Sequence, residues 1–163
     1  MFSILRRHHR RLLAGVLATA AAAAVATPAV AGQQQTKTLR FFEKTTDVSI
    51  TTADGTPKSG PPAAGDILDV AGVLYAGNHR RHARKASGTD HTRCVFTGPD
   101  SGTCQGEVAL GGSLILVKSA LGGNPFTIWW GTGRFKGITG TGTNTTVNEE
   151  ENTSDVVVRY RKG

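Results

Sequence analysis

The chain has 163 residues, 21 of them glycine and only two of them cysteine, with a formal charge of +7. That size suits one domain with a single core. Arg6, Arg7, Arg10 and Arg11 carry most of the excess charge and leave 15 basic against 12 acidic residues; the densest remaining cluster, His79-Arg80-Arg81-His82-Ala83-Arg84-Lys85, holds no aromatic, which argues against a nucleic-acid partner.

In chain order, the four arginines precede an alanine-rich apolar run from Leu12 to Ala26, and Ala29-Val30-Ala31 has the small-x-small form of a signal peptidase site. Residues 1–31 therefore read as a secretory signal peptide, residues 32–163 as a single mature domain, and the protein as secreted. The apolar run is short and no comparable one follows, so stable membrane insertion after cleavage is not expected.

A first β-like run covers Leu39 to Thr51, where Leu39 and Phe41 begin an alternating pattern. Ala53 to Gly65 holds three prolines and three glycines and reads as an exposed loop. Further runs follow over Asp66 to Tyr75, Lys85 to Phe96, Gly102 to Leu110, Ser113 to Lys118, Phe126 to Trp130, Arg134 to Val147 and Ser154 to Arg161, about eight strands in all. Cys94 and Cys104 are the only cysteines, and in an exported chain they are expected to form a disulfide across a turn-rich segment. The spacing is wrong for a Cys-x-x-Cys redox site.

The later connections are short and glycine-bearing, which favours an antiparallel meander over parallel crossovers. Closing such a sheet removes its edges and covers its apolar face without helices, so an eight-stranded antiparallel β-barrel is expected. Leu114-Ile115-Leu116-Val117 is apolar on both parities, so one face can fill the barrel while the other meets an outer layer or a second copy. The segment from Phe126 to Gly142, with its Gly131-Thr132-Gly133 turn, reads as two neighbouring strands at a barrel corner.

Taken in order, Ala64-Gly65-Asp66, Leu74-Tyr75, Ser87-Gly88, the two cysteines, Gly111-Gly112-Ser113-Leu114 and Gly131 through Gly137 to Gly140 resemble the superfamily of dirigent proteins and allene oxide cyclases, in particular its exported bacterial members. The resemblance spans most of the mature domain. Trp130 departs from it, standing where the superfamily usually carries a glycine. The resemblance implies an eight-stranded barrel, often a homotrimer, with an apolar cavity and neither a metal nor an organic cofactor. It also implies a cofactor-independent isomerase or cyclase activity, steering the cyclisation or stereoselective coupling of a small apolar or phenolic intermediate by restricting its conformers.

Each candidate residue has a functional and a purely structural reading. Asp66 matches the superfamily's Gly-Asp position and suits a general acid, or it ends the proline-rich loop by accepting from backbone amides. Asp69 shares the parity of Ile67, Ala71, Val73 and Tyr75, and is the better-placed carboxylate if that face lines the lumen. Tyr75 offers a ring and a hydroxyl to an aromatic ligand, or packs. Trp129 and Trp130 have opposite parity, which directs one to the lumen and the other outward, where either gates a ligand cavity or packs at the rim. Arg134, just past the Gly-Thr-Gly turn, brings a cation to a barrel mouth to meet an oxyanion, or is solvated. His79, His82 and His91 lack the spacing of a compact metal site, and the first two sit among repelling cations. No nucleotide loop or catalytic triad is present. Because no constellation demands catalysis, a non-catalytic carrier or structural barrel is the alternative.

Overall fold

A computed structural model describes residues 35–163; the expected signal peptide lies outside them. The strands are β1 (Lys37–Thr51), β2 (Ile67–Asn78), a two-residue β3 (Arg81–His82), β4 (Gly88–Gly98), β5 (Ser101–Leu110), β6 (Ser113–Ala120), β7 (Phe126–Gly131), β8 (Ile138–Asn148) and β9 (Thr153–Lys162). Every pairing is antiparallel, in the order β1-β9-β8-β7-β6-β5-β4-β2, and a β1–β2 pairing closes the ring. With β3 only an appendage on the end of β2, the structure is an all-β, closed eight-stranded barrel, as the sequence predicts. Closure satisfies the backbone groups that an open sheet of this length would leave at its edges.

Alternation decides what enters the lumen. On β2 the inward residues are Leu68, Gly72 and Leu74, and on β1 they are Phe41 and Glu43; Gly72 lies against Glu43 and Asp90, and the others are in the core or line the cavity. The core clusters Phe41, Leu74, Leu110, Ile115, Ile128, Phe135, Ile138 and Val158. Most of these lie near one end of the barrel, which is plugged. A 3-10 turn, Gly133–Phe135, interrupts the segment expected to be strand from Arg134 onward and drives Phe135 into this end, 2% exposed and edge-on to Tyr160 at 5.8 Å. Gly133 has φ +53° and a side chain there would meet Ser113 Oγ at 2.4 Å, so the Gly-Thr-Gly turn is a packing requirement. Ser113 Oγ also accepts from the Arg134 N–H at 3.2 Å, and Thr132 Oγ1 accepts from the Leu114 N–H at 2.9 Å, locking the plug to β6.

The Cys94–Cys104 disulfide is formed. Its residues face each other directly across β4 and β5 and line the lumen. Outside the wall, the segment after β2 folds back over β1, where the His82 ring stacks on buried Phe42 with centroids 4.5 Å apart. His79 is tied to Asp155 of β9 through its backbone N–H at 2.7 Å and its Nδ1 at 2.6 Å. The basic cluster is therefore a pinned hairpin.

Candidate functional site

The end of the barrel opposite the plug holds a cavity of about 430 Å³. Val117, Leu121, Phe126 and Val156 supply apolar wall, the disulfide another part, and the β6–β7 connection, residues 121–124, edges the mouth. Phe126 lies flat over β8 because Gly142 carries no side chain; a Cβ there would sit 2.2 Å from the Phe126 ring. That volume accommodates a small organic molecule of two or three fused rings.

Two carboxylates enter this apolar space. Glu43 of β1 and Asp90 of β4 converge over Gly72 of the intervening β2, whose Cβ, if present, would lie 2.7 Å from Asp90 Oδ1 and 3.2 Å from Glu43 Oε1. Glycine at this position makes the room for both acids. Glu43 is 5% exposed, and burial together with the charge of Asp90 pushes its carboxyl up to about 7, against the Asn144 Nδ2 hydrogen bond at 3.0 Å, which favours the ionised form. Burial raises Asp90 to about 6, and its Oδ1 is buried with no hydrogen-bond partner among the described residues. Near neutral pH the pair therefore holds a proton that can be given or taken inside a low-dielectric cavity. Asn124 at the mouth grips the Asn144 backbone, donating to its carbonyl at 2.7 Å and accepting from its N–H at 3.3 Å, so the mouth and the acid pair are mechanically connected.

The residues that the sequence singles out lie elsewhere. Asp69 points outward, because Leu68 and Leu74 rather than Ile67 and Tyr75 set the inward parity of β2. It accepts from Arg93 through Nε at 2.9 Å and Nη2 at 3.0 Å, with His91 Nε2 at 3.1 Å, and Arg93 holds its carboxyl below the usual range. Tyr75 shares that outer face, tilted against His82 at 5.8 Å. Asp66 is buried under the β1–β2 loop, where it accepts from Lys58 and from the Ala63 N–H at 2.6 Å, contacts that lower its pKa and tie down the proline-rich loop. That loop contributes nothing to the cavity lining.

Trp129 and Trp130 also differ from expectation, since both face outward, 47% and 51% exposed. Leu116 pairs with Trp130 while Val117 pairs with Ile128, so Trp129 is the extra residue of a β-bulge. The bulge keeps Ile128 and Gly131 inside and turns both indoles out. Arg134 is exposed at the plugged end, its guanidinium 4.8 Å from the Phe135 ring centroid, with the packed core between it and the cavity. The sequence reading passed over Glu43 and Asp90, although each broke a pattern. Glu43 is the first charge after Leu39 and Phe41 on their parity, and Asp90 shares the parity of Cys94 and Phe96.

The fold is the closed eight-stranded barrel found in dirigent proteins. A pyocyanin demethylase superposes with a TM-score of 0.55 at 21% identity, over 77% of this chain and 99% of its own. Two pterocarpan synthase dirigent proteins superpose with a TM-score of 0.53 at 14% identity, over 79% and 80% of this chain and 87% and 97% of theirs. No family model matches the chain, and no curated protein matches it significantly.

Proposed function

We propose that the barrel binds a small, largely apolar or phenolic molecule and directs its cyclisation or stereoselective coupling, with Glu43 and Asp90 as a proton-exchanging pair. The observation that carries this reading is the convergence of two carboxylates with raised pKa values in an open cavity whose surface is mostly apolar. One carboxylic acid donates to an oxygen where negative charge develops, and the ionised partner accepts a proton or steadies positive charge. The walls hold the substrate in one conformer. Pterocarpan synthase dirigent proteins and a pyocyanin demethylase share this architecture, which supports aromatic oxygen or nitrogen heterocycles as the first compounds to try. The resemblance of the sequence to allene oxide cyclases adds unstable epoxides.

The test is product chirality. Incubated with reactive phenolic and epoxide precursors, the parent protein is expected to give an enantiomeric excess. Glu43→Gln and Asp90→Asn are expected to move the products toward racemic, and the outward Asp69→Asn to leave them unchanged. Racemic product from the parent, with saturable binding retained, would leave the carrier reading.

We further read the chain as exported, its leader removed and its disulfide formed outside the cytoplasm, and the outward Trp129 and Trp130 as covered by a second copy in a homo-oligomer such as a trimer. Mass spectrometry of the mature N-terminus and light scattering of Trp130→Arg check these two points.

A further inference from the structure

The charges of the barrel are sorted along its axis. Glu149, Glu150 and Glu151 form the β8–β9 turn beside the cavity mouth, whereas the opposite half of the barrel carries exposed Arg40 on β1, Arg159 and Arg161 on β9, and Arg80, Arg81 and Arg84 around β3. Among the described residues, none of these six arginines has a carboxylate within ion-pairing distance. The ion pairs among the described residues use Lys58, His79, His91 and Arg93 instead. Asp155, the acid nearest this face on β9, is committed to His79.

The arginines are also held in place. Asn78 Oδ1 accepts from the Arg80 and Arg81 N–H groups at 3.1 and 3.0 Å, and the stacking of His82 on Phe42 pins the hairpin against β1. On the neighbouring wall the outward positions of β8 are threonines in register with the arginines of β9, Thr139 opposite Arg161 and Thr141 opposite Arg159, while Thr38 of β1 lies opposite Arg159 from the other side. Strand spacing sets these guanidinium and hydroxyl rows about 5 Å apart and successive outward residues about 7 Å apart along each strand.

We propose that this face is a docking surface for an anionic polysaccharide strand. Guanidinium groups bind sulfate or carboxylate in bidentate fashion, and threonine hydroxyls exchange hydrogen bonds with sugar hydroxyls. Nucleic acid and bilayer fit less well. On the β1–β9 wall Tyr160 is turned against Phe135 and Tyr75 against His82, so neither ring is offered to stack a base or enter lipid. The exposed indoles Trp129 and Trp130 lie at the border of this face on β7, the contact assigned to a second copy in the proposed oligomer. Docked in this way, the barrel presents its cavity mouth away from the polymer.

Heparin serves as the probe, with the full chain titrated over a range of salt concentrations. Arg40→Gln/Arg159→Gln/Arg161→Gln is expected to weaken binding at least tenfold at 0.1 M salt and to flatten the salt dependence. Arg80→Gln/Arg81→Gln/Arg84→Gln, which leaves the barrel ladder untouched, should act in the same direction. Thr139→Val/Thr141→Val should weaken binding severalfold at an unchanged salt slope. Glu149→Gln/Glu150→Gln/Glu151→Gln changes net charge by the same amount at the far end and should alter affinity less than twofold. The proposal is overturned if the parent does not bind heparin, if either arginine variant binds as the parent does, if the glutamate variant gains what the arginine variants lose, or if duplex DNA or anionic vesicles compete as well as heparin at equal charge.

Discussion

The two ends of this barrel share one sheet and differ in what fills them. At the plugged end, Leu110, Ile115, Phe135 and Val158 are at most 2% exposed and leave no space. At the open end, Glu43, Asp90, Asn144 and two glycines replace such residues, and a cavity of about 430 Å³ remains. The contrast teaches that the closed ladder tolerates a polar, underfilled half because the other half supplies the packing, and that the buried acids are a cost to folding which a stability measurement can expose.

The largest effect is expected at the plug. Phe135→Ala should destabilise the protein by about 3 to 5 kcal/mol in chemical denaturation, from lost burial and a residual cavity. Comparable loss from an Asp90→Ala change would erase the distinction between the ends. Next comes the crosslink. Cys94→Ala/Cys104→Ala should cost about 3 kcal/mol through the greater freedom of the unfolded chain, measured by the same denaturation.

The acid pair should then reveal itself through pH. Glu43 stands at about 7 in the folded protein against an ordinary 4.5, so the folded state binds more protons than the unfolded between those values. Stability contributed by the protonated form is present below about 4.5 and is lost as pH rises to about 7; Asp90 adds a similar decline between 3.8 and about 6. Glu43→Gln should remove its part of that slope and gain roughly 1 to 3 kcal/mol over the parent at pH 8, read from denaturation midpoints across pH. A parent whose stability rises from pH 4.5 to 7 would contradict buried acids at the open end. The smallest effect belongs to the exterior. Asp69→Asn breaks an ion pair whose Arg93 side chain is 60% exposed and should cost less than about 1 kcal/mol, with cavity binding intact.

Most of the architecture was legible. The turn signals divided the chain into about eight runs, and the two cysteines announced their bridge. The largest boundary shift came where a bulky residue needed a place to pack. Phe135 could not continue a strand and fill the barrel end together, so β8 begins at Ile138. The site was far less legible. β2 is apolar on both faces, so Asp69 and Tyr75 had the same claim on the lumen as Leu68 and Leu74 until the ring closed. The bulge at Trp129 then changed the parity of a strand that alternation alone would have carried through.

By itself, then, the sequence determined that the chain folds as an antiparallel all-β domain, because turn chemistry and short-range periodicity are local properties of consecutive residues. Only the tertiary structure decided which face of each strand is inside and which charges meet. Glu43, Gly72, Asp90 and Asn144 come from four different strands, and their convergence depends on register and closure, which no local stretch of the chain encodes.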